Sequence, residues 1–503
     1  MSKVRLRFAP SPTGPLHIGG VRTALYNYLF SKKNSGVLVL RIEDTDQGRY
    51  VSGAEDYIEE ALAWCGIHFD ESPSQGGNYG PYRQSERKEL YQEYAKKLVE
   101  QGHAYYAFDT PEELDQMRAD LAEQGIHAAK YNYETRGQMR NSLTLPEDET
   151  NRLLSIGDKV TIRLKIPQDQ EVTINDIVRG DVTFQTNELD DKIIMKADGM
   201  PTYHLANIVD DHLMEISHVV RGEEWLSSTS HHLLMYQFLG WKAPQYAHIP
   251  LILKPTGKGK LSKRDGAKFG FPVFPLSWTG ADPGDSFEGF REAGFLPDAL
   301  LNFLVLLGWN PGTEQEMFSM EELIEAFSLE NIVKSGARFD FDKAKWFNQQ
   351  YIIAKDNSEL LPIVQKEIEK AGFHAEKDFI MKFIALMKER VESTTEFIPN
   401  ATYFFQRPEN YDEKTVRKKY KSENLSAFEN ITDLILDKEN KDISSAVKNY
   451  IKENGYGFGA ILPVLRVAIT GSMAGPDLFE MIEVIGRKEC AERIKVFLEK
   501  YKG

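Results

Sequence analysis

Cysteine is almost missing from this chain. Its 503 residues hold two, Cys65 and Cys490, too few for a disulfide framework or for a zinc site built on four thiolates. Long apolar runs are missing too. The longest, around residues 300–309, carries Asn302 and falls far short of the roughly 20 residues a membrane helix needs. Met1-Ser2-Lys3-Val4-Arg5 leads straight into charged residues with no apolar signal segment, so a soluble cytoplasmic protein is expected. A surplus of positive charge is also lacking. The formal net charge is −15, which excludes a protein that holds nucleic acid by overall charge but not one with local basic faces. Such faces are offered by Arg136–Arg140, by Lys254–Lys268, and by Arg417-Lys418-Lys419 with Lys421. Two common nucleotide fingerprints are absent. Gly14 and Gly19 have the glycine spacing of a phosphate loop, but Gly20 stands where its lysine would be, and no GxGxxG occurs, so hydride transfer has little support. No internal repeat or low-complexity tract is present.

What the chain does have is a histidine at a strand-to-helix turn and a distant loop of lysines. Val4-Arg5-Leu6-Arg7-Phe8 alternates as a short strand does. Pro10, Pro12, Gly14 and Pro15 then forbid regular structure. From His17 onward Val21, Leu25, Tyr28 and Leu29 recur at helical spacing. His17 is therefore predicted near a helix N-terminus, where unpaired N–H groups and the macrodipole favour phosphate. Gly19 and Gly20 leave room for a base or ribose against the helix backbone. Far downstream, Lys260-Leu261-Ser262-Lys263-Arg264 puts cations on a loop. A carboxylate that attacks the α-phosphorus of ATP builds negative charge on the phosphoryl oxygens and on the departing pyrophosphate. Donors aimed at that charge carry most of such catalysis, and His17, Lys260 and Lys263 are donors of that kind. Taken singly, a capping histidine and a solvated basic loop are the plainer readings; together they predict an enzyme that activates a carboxylate.

The two segments His17-Ile18-Gly19-Gly20 and Lys260-Leu261-Ser262-Lys263-Arg264 resemble the "HIGH" and "KMSKS" motifs of the class I aminoacyl-tRNA synthetases. RFAPSPTGPLHIGGVRTALYNYLF, RIEDTD at 41–46, TYHLANIVDDHLMEISHVVRGEEW at 202–225, ARFDFDKAKWFNQQYI at 337–352 and ILPVLRVAITG at 461–471 are similar to the bacterial glutamyl-tRNA synthetases, over nearly the whole chain. One departure is Gly20 in place of the last histidine of the first motif, a variation common in the glutamyl enzymes. The resemblance implies ATP-dependent activation of L-glutamate to glutamyl-adenylate, with Mg²⁺ accompanying ATP, and transfer to the 3′ end of tRNA(Glu). It implies that His17, Gly19, Gly20, Glu224, Trp225 and Lys263 meet ATP, with His17, Lys260 and Lys263 catalytic. It places Arg7, Ala9, Ser11, Glu43, Tyr203, Asn207 and Arg221 at glutamate, Glu43 pairing with the α-amino group. Relatives with a Cys/His zinc site carry it near the equivalent of residues 104–108, which here read Ala-Tyr-Tyr-Ala-Phe, so zinc is not expected. A monomer with no membrane attachment is expected.

The chemistry of the ligand suits this set. Glutamate offers two carboxylates and one ammonium group, and arginine's planar fork matches a carboxylate. Tyr203 and Asn207 lie four apart, on one face if that segment is helical. Arg221 follows His218-Val219-Val220, as at the C-terminal end of a buried strand, where open α/β sheets bind ligands. Which arginine holds which carboxylate is open. Arg41, Glu43, Asp44 and Asp46 also read as a structural ion-pair cluster, and Asp210-Asp211 as a helix-end charge pair.

The expected fold is α/β, with a Rossmann-like parallel-sheet catalytic domain at 1–103 and 201–255. An α+β insertion at 104–200 is expected to grip the acceptor stem. A stem-contact region at 256–335 carries the lysine loop, and an all-helical region at 336–503 is expected to bind the anticodon. Glu55–Gly66 and Arg87–Gln101 read as amphipathic helices stopped at Gly66 and Gly102. In the insertion, Pro111–Gly125 reads as a helix and Val160–Ile166, Glu171–Ile174 and Asp181–Phe184 as strands. Phe271–Asp285, with Pro272, Pro275, Gly280, Pro283 and Gly284, reads as an irregular excursion. Glu359–Ala371 and Asp378–Arg390 are amphipathic segments of a helical region that divides near 400–425. Lys388, Arg390 and Arg407 are candidate RNA contacts, as are Phe404 and Phe405, although core packing is the plainer role for either phenylalanine. Whether tRNA(Gln) is also charged is not legible. A small-molecule nucleotidyltransferase has no need of a helical last third, and a silent RNA-binding relative would lack the lysine loop.

Overall fold

Alternation in Val4-Arg5-Leu6-Arg7-Phe8 would leave two arginines on a solvated face, yet all four residues of strand β1 (Arg5–Phe8) are buried. Pairing is the reason. Arg5 donates to both oxygens of Glu71 at 2.9 and 3.0 Å, and Arg7 donates to Asp211 at 3.0 Å; a buried charge persists only when so matched. A strand buried on both faces belongs inside a parallel sheet, and β1 pairs in parallel with β2 (Val37–Leu40), Arg5 opposite Val37. Helix α1 (Ile18–Lys33) connects them. It buries Val21, Leu25 and Leu29 and ends on Lys32 and Lys33, cations that suit the C-terminal end of the dipole. Helices α2 (Ala54–Trp64) and α3 (Lys88–Glu100) follow. Gly66 and Gly102 stand just past them with φ of 68° and 76°, the left-handed conformation that stops a helix.

The structure is a computed structural model that describes residues 3–126, 129–157, 159–280, 284 and 286–501. Met1 and Ser2, and Pro283 and Asp285 of the Gly/Pro-rich stretch, lie outside the described residues. Next along the chain come β3 (Ala104–Ala107), α4 (Pro111–Glu123), α5 (Glu147–Ile156), β4 (Thr161–Leu164), β5 (Glu171–Asp176), β6 (Gly180–Gln185) and β7 (Ile193–Met195). Thr110 and Glu113 close a capping box at the start of α4. Strands β3, β4 and β7 form a separate antiparallel sheet. The chain continues through α6 (Tyr203–Leu213), β8 (His218–Gly222), α7 (Leu226–Phe238) and β9 (Gln245–Ile249). The β5–β6 hairpin does not stand apart: β5 meets β9 in parallel at Asp176 and Tyr246, giving the order β6-β5-β9-β8. Ser217 ties β8 to β1, since its N–H donates to Arg5 C=O at 2.9 Å and its Oγ accepts from Arg5 N–H at 2.8 Å.

The lysine loop follows β10 (Ile252–Leu253) and leads into the short helix α8 (Lys263–Phe269). The region expected to be all-helical at 336–503 holds one strand among the described residues: β11 (Ala337–Arg338) pairs with β10. Gly336 makes that approach possible, because a Cβ there would meet Leu253 Cγ at 2.9 Å and Leu251 O at 3.1 Å.

By its internal contacts the chain divides into Met1–Phe290 with Leu300–Phe341, and Arg291–Ala299 with Asp342–Gly503. The second unit is a helical assembly around one apolar core. Leu360, Val364 and Ile368 enter it from Asn357–Lys370, and Ile380, Phe383 and Met387 from Lys377–Met387. Leu425–Leu436 adds Phe428, Ile431 and Ile435, and Arg487–Lys500 adds Ile494 and Phe497. The three-to-four spacing is that of amphipathic helices. Between residues 391 and 424 only Glu413–Lys419 is an α-helix. No helix among the described residues is long and apolar enough to cross a membrane.

Candidate active site

A cavity of about 820 Å³ opens where β1 and β8 end, and Phe8 and Gly222 line it. The parallel strands deliver Arg7 and Arg221 to it, α1 delivers His17, Gly19 and Gly20, and α6 delivers Tyr203 and Asn207. Ala9 and Ser11 come from the turn before α1, Glu43 follows β2, Glu224 and Trp225 follow β8, and Lys260 and Lys263 come from the loop before α8. Every residue expected at glutamate or ATP thus lines one space.

Beneath one end lies a buried charge network. Arg41, wholly buried, donates to Glu43 Oε1 at 3.1 Å and Asp211 Oδ1 at 2.8 Å and stands 3.7 Å from Asp210. Asp210 also accepts from Arg87 at 2.7 Å, Gln84 at 2.9 Å and Tyr91 at 2.9 Å. Arg7, Arg41 and Arg87 therefore balance Glu43, Asp210 and Asp211. The structural reading of Arg41 and Glu43 holds, and it serves the site, because the network fixes Arg7 and Glu43 on the cavity wall. Asp44 and Asp46 are not part of it: Asp44 accepts from Ser85 N–H, and Asp46 pairs with Arg49 at the surface. Burial raises the Glu43 carboxyl above its ordinary range against the pull of Arg41 and Arg7. A cation arriving beside it would relieve that penalty. Asn207 Nδ2 donates to Glu43 Oε1 at 3.2 Å. Arg7 uses Nε on Asp211, and its terminal nitrogens have no other protein acceptor among the described residues.

Arg221 is held differently. Its Nε donates to His248 at 3.1 Å, one terminal nitrogen donates to Thr229 Oγ1 at 2.6 Å, and the other to Tyr203 OH at 2.9 Å. Tyr203 accepts that bond, so its own hydroxyl hydrogen is available to a ligand. Burial raises its pKa and keeps the phenol protonated.

At the other end His17 is the N-cap of α1. Its Nδ1 accepts Gly19 N–H at 3.0 Å, which puts the ring proton on Nε2. That Nε2 is buried without a protein partner. Burial, then repulsion from Lys260 and Lys263, drives the imidazole down to about 3, so it is a neutral N–H donor. The lysine loop reaches the same turn: a Cβ on Gly14, whose φ is 128°, would lie 3.1 Å from Lys263 Nζ. Ser262 caps α8, donating its N–H and Oγ–H to Asp265 at 2.8 and 2.6 Å. Those bonds, with Lys254, hold the Asp265 carboxyl down to about 2. Lys263 and Arg264 at the start of that helix oppose its dipole, a local conflict of the kind found at functional sites. Lys260 pairs with Glu224 at the surface. Trp225 is 40% exposed and lies against Tyr203, ring centroids 4.3 Å apart, leaving an aromatic face for a base.

The candidate RNA contacts belong to the second unit. Arg390 is exposed, Lys388 Nζ donates to Lys355 C=O, and Arg407 is engaged twice by Glu489 at 2.8 Å. Phe404 is buried and Phe405 stacks on Phe373, so both take the core role. Sequence reasoning missed Gln84, Arg87 and Tyr91, and also Asp176, Thr229 and His248. The one legible signal was Asp210-Asp211 after Leu205, Ala206, Ile208 and Val209, two acids at the end of a run that is buried from Leu205 to Asp211, which demands cations from elsewhere.

Residues 3–346 match the family described as tRNA synthetases class I (E and Q), catalytic domain, and residues 357–498 match an anticodon binding domain. A glutamate–tRNA ligase of Christiangramia forsetii is 52% identical over 497 residues, 98% of each chain. One from Porphyromonas gingivalis is 50% identical over 504 residues, 99% of each chain. A crystal structure of a glutamate tRNA ligase from Elizabethkingia meningosepticum, in complex with its amino acid, superposes with a TM-score of 0.95 at 48% identity, covering 99% of both chains.

Proposed function

The chain belongs to the glutamate–tRNA ligases among the class I tRNA synthetases, and from that premise we propose how its residues divide the reaction. The enzyme consumes ATP to activate glutamate and transfers it to tRNA. Glutamate lies with its ammonium group against Glu43, one carboxylate against Arg221 and Tyr203 and the other against Arg7, with Asn207, Ala9 and Ser11 closing the wall. ATP lies with its adenosine along Gly19, Gly20 and Trp225, close to Glu224, and its phosphates toward His17, Lys260 and Lys263.

An α-carboxylate oxygen attacks the α-phosphorus, the bond to the bridging oxygen breaks, and pyrophosphate leaves. No side chain becomes covalently attached; catalysis is positioning and charge stabilisation. His17 supplies a neutral hydrogen bond whose strength does not change near neutral pH, and the lysines supply charge. Magnesium would enter on the phosphates of ATP, whose oxygens are the hard ligands it prefers. The 2′-hydroxyl of the terminal adenosine of tRNA(Glu) then attacks the glutamyl carbonyl and releases AMP. Residues 104–200 and 256–335 take the acceptor side of the tRNA and 336–503 the anticodon, through Lys388, Arg390 and Arg407. Arg407 reaches RNA by leaving Glu489, an exposed pair worth only about 0–1 kcal/mol. The enzyme works as a cytoplasmic monomer.

The observation that carries this reading is the buried, unpartnered Nε2 of His17 in the same cavity as Arg7 and Glu43. Charging of purified tRNA(Glu) and tRNA(Gln) transcripts with radiolabelled glutamate, glutamine serving as control, tests it. Glutamate on tRNA(Glu) alone is expected of a discriminating enzyme, and glutamate on both would mark a supplier for later amidation. Acylation of neither transcript despite bound ATP would overturn the reading.

A further inference from the structure

Asp176 ends β5 and His248 lies within β9, both buried. His248 Nδ1 stands 2.6 Å from Asp176 Oδ2. A carboxylate only accepts, so the imidazole proton resides on Nδ1 and Nε2 presents a lone pair. Arg221 Nε, 3.1 Å away, donates to that lone pair. Asp176 is itself fixed by the N–H groups of Val178 at 2.9 Å, Arg179 at 2.8 Å and His248 at 3.1 Å. Arg221 and Tyr203 line the cavity, whereas Asp176 and His248 do not. The pair thus grips the Nε side of the guanidinium and leaves the side that meets Tyr203 to the ligand.

We propose that Asp176 and His248 are positioning residues for glutamate: the carboxylate sets the tautomer of the imidazole, and the imidazole fixes the orientation of Arg221. The proposal rests on the reading of Arg221 as a carboxylate partner. Its physical content is a donor–acceptor sequence that cannot be reversed. With the proton on Nε2 instead, it would face Arg221 Nε–H and turn to Thr229 Oγ1, which stands 3.1 Å away, and Arg221 would lose the contact on its Nε while keeping those to Thr229 and Tyr203. A guanidinium with one fewer fixed contact is less well oriented, and the freedom it surrenders on binding weakens the ligand accordingly.

Asp176→Asn isolates the effect. The amide oxygen stays against Val178 and Arg179 N–H and remains the acceptor for His248 N–H at 3.3 Å, and the amide NH₂ turns toward the His248 ring, donating to Nδ1 and moving the proton to Nε2. In charging assays on the full chain with tRNA(Glu), Asp176→Asn is expected to raise KM for glutamate about tenfold or more, leaving kcat and KM for ATP within about threefold. His248→Phe is expected to do the same. His248→Gln, whose carbonyl can accept from Arg221 Nε without any tautomer, is expected to stay within about threefold of the parent. In ¹⁵N-histidine spectra the unprotonated-type Nε2 signal of His248 is expected to become protonated-type in Asp176→Asn. If that variant does not fold, the two His248 variants decide. Equal loss in His248→Gln and His248→Phe, or a loss shared by ATP, would overturn the positioning role, as would an unmoved tautomer in a folded Asp176→Asn. Arg221→Ala in the same assay separates the two readings. If it leaves KM for glutamate unchanged, Arg221 is no carboxylate partner and the proposal fails with it. If it raises KM while Asp176→Asn and His248→Phe do not, the positioning role alone fails.

Discussion

The two ends of the cavity are built in opposite ways. At the end proposed for glutamate the side chains are buried and held by groups that are themselves held: Arg7 by Asp211, Asp211 by Arg41, Glu43 by Arg41 and Asn207. At the end proposed for the phosphates Lys260 is 54% exposed and, among the described residues, pairs with the partly exposed Glu224, and Lys263 starts a seven-residue helix against its dipole. The difference follows the chemistry. Glutamate has fixed charges in the ground state, and a rigid complement recognises them best. Charge on the phosphates develops during reaction, and under the proposed function the lysine loop supplies cations there when the nucleotide is present. The ends should therefore fail differently when broken.

The largest effect belongs to the buried end. Arg41→Ala leaves Glu43, Asp210 and Asp211 facing two arginines, and an unmatched buried charge costs about 3–5 kcal/mol. Urea unfolding should show that loss as a lower midpoint. A loss under about 1 kcal/mol would mean that the network is not the support of Arg7 and Glu43 described above.

Lys263→Ala should show the converse. Its expected effect is a fall of about 10²–10³ in the adenylation rate, with glutamate affinity within about threefold and the unfolding midpoint nearly unchanged. Glutamate-dependent pyrophosphate exchange in the presence of tRNA, alongside calorimetric titration of glutamate, reads both quantities. Equal losses in rate and affinity would erase the contrast between the two ends.

How far the sequence reaches also differs between regions. The helical unit was legible as helices because Leu360, Val364 and Ile368, or Phe428, Ile431 and Ile435, repeat at a spacing that local geometry imposes. The cavity's own residues were legible through motif resemblance, and His17 at the head of α1 through turn chemistry as well. What stayed hidden was the support. Arg41 and Asp211 are 170 positions apart, Asp176 and His248 are 72 apart, and no local period links residues that meet only when strands pair. The partners of Arg5 and Arg7 were hidden by the same route, because Glu71 and Asp211 are distant in sequence.

A pH measurement sharpens the buried end further. Glu43 must be ionised to hold an ammonium group, and its carboxyl sits above its ordinary range because burial outweighs Arg41 and Arg7. It is protonated as pH falls through that raised value, so kcat/KM for glutamate should decline at a higher pH than an ordinary carboxylate would give. Glu43→Gln should lower kcat/KM about tenfold or more and flatten the decline. A decline that survives in Glu43→Gln would assign the titration to another group.

The smallest effect tests the exposed end alone. Lys260 and Glu224 form a surface pair, and such pairs contribute about 0–1 kcal/mol because water already solvates both charges. Lys260→Ala should therefore leave the unfolding midpoint within experimental scatter while slowing adenylation about tenfold, since the lost ammonium is needed only once phosphate replaces Glu224 as its partner. Glu224→Gln separates that exchange from the pair itself: it frees Lys260 in advance and should steepen the salt dependence of ATP binding without reproducing the loss of rate. If Lys260→Ala instead destabilises the fold by more than about 1 kcal/mol, the lysine belongs to a fixed framework like that around Arg41, and the mobile character assigned to this end is wrong.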